Sequence, residues 1–93
     1  MPAAHRIGDL ASGHGCHPAN MSISGSPNVF VNNIPSVRVT DVFSVHCCGS
    51  NCHASVQIGG APAVFTNNLA QARIGDPIDC GEINATGSPN VFS

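Results

Sequence analysis

Of the eight residues His46-Cys47-Cys48-Gly49-Ser50-Asn51-Cys52-His53, five carry a thiol or an imidazole, the donors that soft and borderline metals take. The other three are small or turn-forming, so the stretch reads as a loop held by something other than packing. Similar donors recur elsewhere at matched offsets. His14 lies five residues after Asp9, His46 five after Asp41, and Cys80 four after Asp76, while His53 closes the long loop around residues 42–54. His14, His46, His53 and Cys80 make three imidazoles and one thiolate, the closed tetrahedral set of a structural Zn²⁺ site. Such donors favour zinc over Mg²⁺ or Ca²⁺, and iron is also compatible with them.

Other donors compete for these places. His17 and Cys52 are each an alternative ligand. The long loop could also build a site alone, from Cys47 or Cys48 with Cys52 and His53. His5 is expected to be exposed and Cys16 to be an idle or packed thiol. Cys47, Cys48 and Cys52 could form a local disulfide in an oxidising space. Catalysis finds little support: a Cys beside a His needs an orienting third group and a pocket. Glu82 is the single Glu, and the glycines lack phosphate-loop spacing.

The elements that must position the donors form an internal repeat. Gly25-Ser26-Pro27-Asn28-Val29-Phe30 recurs letter for letter at residues 87–92, and Gly60-Ala61-Pro62-Ala63-Val64-Phe65 is a looser copy. A second motif occurs as Arg6-Ile7-Gly8-Asp9, Arg38-Val39-Thr40-Asp41 and Arg73-Ile74-Gly75-Asp76, and it holds every Arg of the chain. The two motifs alternate. Short strands are expected around residues 21–23, 29–31, 36–39, 55–58, 63–66, 72–74 and 82–85, with tight turns at Asn32-Asn33 and Asn67-Asn68. Three units of hairpin plus loop predict an all-β body with pseudo-threefold symmetry. The donor loops then gather at one end and the Gly-Ser-Pro hairpins at the other. Arg and Asp of each motif read as a repeated structural ion pair, with a partner-facing charge ring as the alternative.

Composition sets the bounds. The 93 residues suit one domain, and a net charge of −2 with three Lys+Arg gives no basic face for nucleic acid or anionic lipid. Ten Gly and seven Pro oppose long helices, and four aromatic residues, all Phe, leave a thin core that needs a staple. Five Cys is an odd number, so full pairing within one chain is excluded. Met1 to Arg6 is not followed by an apolar run of the kind that opens a secretory signal, so the chain is expected to be made in the cytoplasm with its thiols reduced, and metal is the expected staple.

These motifs resemble those of the PAAR-repeat proteins. The signature Pro-Ala-Ala-Arg is approached by Pro2-Ala3-Ala4-His5-Arg6, expanded by one residue, and by Ala72-Arg73-Ile74-Gly75-Asp76. The run Gly25 to Asn32, Cys80-Gly81 and the His46/His53 segment also match. Thr40 stands where the family has Gly, and Gln71 where its last copy usually has Ala. The resemblance spans the whole chain and implies a short conical β-structure with a metal near the vertex, held by His14, His46, His53 and Cys80. It further implies a cap on the trimeric VgrG-type spike of a type VI secretion system, ejected with that spike, or the tip of a contractile phage tail. With residues 1–93 as one domain lacking an effector extension, the bare tip is the expected form.

Three functions follow for comparison: a structural tip that helps a spike pierce a membrane mechanically, an adaptor recruiting a separate effector, and a zinc enzyme or thiol oxidoreductase. The last requires an open metal position or an attackable thiolate, which a closed four-donor set lacks. A monomer with three similar faces is expected to meet three identical chains, one copy per trimer. Phe30, Phe65 and Phe92, with Pro27, Pro62 and Pro89 beside them, are the expected contact surface; the alternative is that the three Phe fill the core.

Overall fold

Short apolar pairs between turn residues leave room only for short strands. A computed structural model describes residues 2–92, and among them there is no helix. Six strands form, β1 (Phe30–Val31), β2 (Ile34–Pro35), β3 (Val42–Cys48), β4 (Asn51–Val56), β5 (Phe65–Thr66) and β6 (Leu69–Ala70). They make three antiparallel hairpins, β1–β2, β3–β4 and β5–β6. The turns of β1–β2 and β5–β6 need two successive residues of positive φ. Asn32-Asn33 and Asn67-Asn68 supply φ of 54° and 65° each, which Asn tolerates better than other side chains. Phe30 faces Pro35 and Phe65 faces Ala70. The third copy of this pairing joins Ala3 to Phe92, so the two ends of the described chain meet where the other repeats turn.

The repeats close on themselves through backbone hydrogen bonds. His5 N–H donates to the Ala72 carbonyl (3.0 Å), Val37 to His5 (3.1 Å) and Ala72 to Val37 (2.9 Å). A second ring runs Ile7 to Pro35 (3.0 Å), Val39 to Ala70 (2.9 Å) and Ile74 to Ala3 (2.9 Å). One chain thus makes a three-sided body in which each repeat covers the edge of the next, disposing of exposed strand edges. The body measures 37 × 24 × 21 Å. One apolar cluster takes one residue per repeat, Ala11, Phe43 and Ile78, each two positions after the Asp of its motif; Ala4, Val31, Val37, Ala61 and Ala72 are buried as well.

Those Asp residues form a belt of ion pairs. In each repeat the Arg Nε lies 2.8–2.9 Å from the Asp Oδ2, and the same Oδ2 accepts the Arg backbone N–H. The pairs therefore close the turn at Gly8, Thr40 and Gly75, as the structural reading expects. Burial alone would raise the Asp9 and Asp41 carboxyls, but the guanidinium and N–H donors outweigh it and hold both below 3.8. That stability is present above the unfolded carboxyl pKa and fades as acid titrates the groups. The turn itself needs positive φ, 89° at Gly8 and 90° at Gly75. Thr40 adopts 83°, a conformation that costs a β-branched residue about 1–2 kcal/mol. Gln71, at the position of Ala4 and Ser36, is buried with its donors on the Val37 and Ala72 carbonyls (3.1 and 2.9 Å) and its oxygen on Thr66 (2.8 Å).

Two expectations are corrected here. His5 is not exposed: it is 0% accessible, because ring closure turns it inward with Val37 and Ala72, beside the Phe43 ring at 5.7 Å. Its Nδ1 donates to the Thr86 carbonyl (2.8 Å), which leaves Nε2 a buried lone pair without a partner. The core reading of Phe30, Phe65 and Phe92 also fails; these are 55%, 62% and 52% exposed, and Phe43 is the Phe that packs inside.

Burial lowers the His5 pKa below 6.5, so the fold prefers the neutral ring. Its contribution is complete above 6.5 and is lost as pH falls through the window down to the folded pKa. We expect His5→Val, the residue of the second repeat, to flatten the fall in melting temperature from about pH 7 to about pH 5 relative to the unaltered chain. Thermal melts of both, stripped of metal, read this directly. Equal slopes would mean that His5 does not titrate against folding.

Candidate metal centre

The segment 42–54 is a β-hairpin rather than a loop, which corrects the reading from its composition. Gly49 (φ 64°) makes the turn, and cross-strand partners replace the apolar contacts that the composition lacks. His46 faces His53, Cys47 faces Cys52, and Cys48 faces Asn51. Phe43 and His46 are three apart, so on a regular strand they would face opposite sides. The register shifts between them, and this irregularity turns both inward. Phe43 enters the core and His46 the layer above it.

The other two donors arrive on tight turns. His14 and His17 bridge each other, His14 N to His17 O at 3.2 Å and His17 N to His14 O at 2.8 Å. Gly13 enters this turn at φ 77°, where an added Cβ would meet the His17 oxygen at 2.8 Å. Cys80 sits in a turn closed by Gly81 N to Ile78 O at 3.0 Å and packs on the core.

Together these elements bring the Nε2 atoms of His14, His46 and His53 to 3.3, 3.0 and 2.8 Å from one another. Metal–nitrogen bonds of ~2.0–2.1 Å give a tetrahedral edge of ~3.3 Å, so the spacing suits three corners around one ion. The Cys80 sulfur lies with them, all four donor atoms falling within 4.8 Å of one another. The four residues are thus able to hold a metal. A bound ion there would tie together three segments distant in sequence.

Outer groups fix the donors. His46 Nδ1 donates to the Pro18 carbonyl (2.8 Å), leaving Nε2 free to coordinate. Glu82 is buried, and its Oε2 accepts the Gly13 N–H at 2.8 Å, which seats the His14 turn. Partial burial, then the neighbouring imidazoles of His17, His46 and His14, hold His53 below its ordinary pKa and so favour the unprotonated, coordinating form. Burial pushes the Cys80 thiol above its usual value; Ser55 opposes this and Glu82 adds to it.

The competing donors lie elsewhere. His17 stacks against His14 with ring centroids 4.6 Å apart, but its Nε2 is 3.0 Å from the Asn51 carbonyl. Cys52 pairs with Cys47 on the outer face of the hairpin, so the site built from that segment alone does not form. Cys16 is not an idle thiol: it pairs with Cys48 across 32 residues. Among the described residues Cys80 is the free cysteine. The Pro18 carbonyl and Glu82 escape sequence reasoning. The one available signal for Glu82 is that the repeat aligns it with Asn20 and Ser55, all three buried.

A family model described as the PAAR motif matches residues 12–83, well over half of the chain. No curated protein matches it.

Proposed function

The chain belongs to the PAAR motif family, and on that premise we propose that it is a structural tip that caps a trimeric VgrG-like spike, one copy per trimer, and sharpens it for piercing a membrane. The observation that carries this reading is the end of the body remote from the His/Cys cluster. Phe30, Phe65 and Phe92 stand more than half exposed there at one position per repeat, and Pro27, Pro62 and Pro89 are exposed beside them. Val29, Val64 and Val91 widen the patch at 38%, 39% and 36% exposure. Threefold apolar surface of this kind suits a threefold partner. At the other end His14, His46, His53 and Cys80 hold zinc as a structural ion, iron being the alternative. The protein is made in the cytoplasm and leaves with the spike.

A second reading, an adaptor that also seats an effector, is favoured by apolar residues on the flanks, with Ile23 at 55%, Ile58 at 54% and Val45 at 63% exposure. The primary test is co-elution with a purified trimeric spike on size exclusion. A stable joint peak supports the cap. Separate elution of the two proteins over micromolar concentrations would defeat it.

A further inference from the structure

We propose that the Cys16–Cys48 disulfide is a redox latch on the metal centre, governing how fast the ion is released. The inference rests on the reading of His14, His46, His53 and Cys80 as a metal site. Four of the five thiols lie beside these donors in sequence, yet none of the four belongs to the donor group. They form two pairs of different placement. Cys47–Cys52 joins β3 to β4 at positions already opposite in register, so it repeats a link that the hairpin makes for itself. Cys16–Cys48 instead joins the His14–His17 turn to that hairpin.

That turn is the mobile candidate among the ligand-bearing elements. His46 and His53 share one hairpin with paired backbones, and Cys80 is backed by the core. His14 stands on a turn that bonds to itself through the His14/His17 backbone pair, with Ser12 N–H on the Ile83 carbonyl and Gly13 N–H on Glu82 Oε2 (both 2.8 Å) at its start. Its attachments to the hairpin are the His17 ring on the Asn51 carbonyl (3.0 Å), the Pro18 carbonyl on His46 Nδ1 (2.8 Å), the Asn20 amide on the Ser44 carbonyl at its far end (2.8 Å) and the Cys16–Cys48 bond. Each of these hydrogen bonds contributes only modestly, net of the bonds its partners make to water on opening, so they can open as the turn swings out. Among the described residues the Cys16–Cys48 bond is the one covalent tie between the turn and the hairpin.

Release of the ion requires one donor to leave and admit a competing ligand, and His14 is the donor placed to do so. With Cys16–Cys48 formed, the swing is blocked. With both sulfurs as thiols, it is open. Closing the latch removes one hydrogen from each thiol and passes two electrons to an oxidant, here a protein or small-molecule disulfide that leaves as two thiols. The same chain then loads metal readily in a reducing space and keeps it in an oxidising one.

The test uses the full chain loaded with zinc, in oxidised form and after reduction by a phosphine, with release followed on adding excess chromogenic chelator. The oxidised form is expected to release zinc at least about tenfold more slowly, within what a cross-link across a long loop can supply. Cys16→Ser with Cys48→Ser should release at the fast rate whether or not phosphine is present. Cys47→Ser with Cys52→Ser should keep the slow, phosphine-sensitive rate. Equal rates for the oxidised and reduced unaltered chain, a comparison that needs no variant, would overturn the latch, as would finding that Cys47–Cys52 accounts for the difference. A chain that takes up no zinc in either state overturns the metal reading and the latch with it.

Discussion

Removing the metal should cost this protein more stability than any change elsewhere in it. A bound ion would join His14, the His46/His53 hairpin and Cys80, while the apolar cluster beneath is small, Ala11, Phe43 and Ile78. Structural zinc contributes ~10–16 kcal/mol of apparent binding free energy in small domains, against a total stability of roughly 5–15 kcal/mol. The closed backbone rings and two disulfides retain part of the fold without metal. Even so, a loss of ~3 kcal/mol lowers the melting temperature of a domain this size by roughly 12–24 °C. A chelator should produce at least that shift, and added zinc should reverse it. Cys80→Ala should match the chelator, and zinc should no longer restore it. Phosphine alone should do less, because it leaves all four donors in place. Cys16→Ala removes a cross-link and no donor, so it should cost less than Cys80→Ala. Equal damage from the two substitutions would mean that the donor set is misassigned.

The second large effect is on partner binding. Phe30→Asp together with Phe65→Asp should abolish co-elution with the spike and leave the melting temperature nearly unchanged. Both side chains are more than half exposed, so the fold does not depend on their burial. In an interface, an aromatic anchor of this kind is worth ~2 kcal/mol or more, and two such losses weaken binding by about a thousandfold. Substitution of Ile23 and Ile58 by Asp, at similar exposure on the flank, is the matched control and should leave spike binding intact. Equal loss from the flank pair would move the contact surface away from the Gly-Ser-Pro hairpins. A large drop in melting temperature for the Phe pair would mean that these rings support the fold after all.

The repeat was the legible part of this chain. Matched offsets from Asp9, Asp41 and Asp76 brought His14, His46 and Cys80 to one layer because backbone geometry repeats when the sequence does, and the Asn-Asn turns follow from tolerance of positive φ. Features that depend on ring closure were not legible. His5 looks like a surface residue when read along its own strand; only its alignment with Val37 and Ala72 points it inward. The 42–54 segment reads as a loop because Cys and His are weak evidence for a strand when counted by propensity. There the pairings His46/His53 and Cys47/Cys52 substitute for packed side chains. The Cys16–Cys48 link spans 32 residues, and no local pattern encodes a contact at that range. The three repeated Phe were ambiguous for a plain reason: an apolar residue at a strand position suits a core and an interface equally.

The central claim is that three repeats in one chain exist to match three identical chains in the partner. The mass of the purified complex by light scattering tests this most directly. One copy of this protein per spike trimer is the predicted result. Three copies per trimer, or a stable homotrimer of this protein alone, would contradict it.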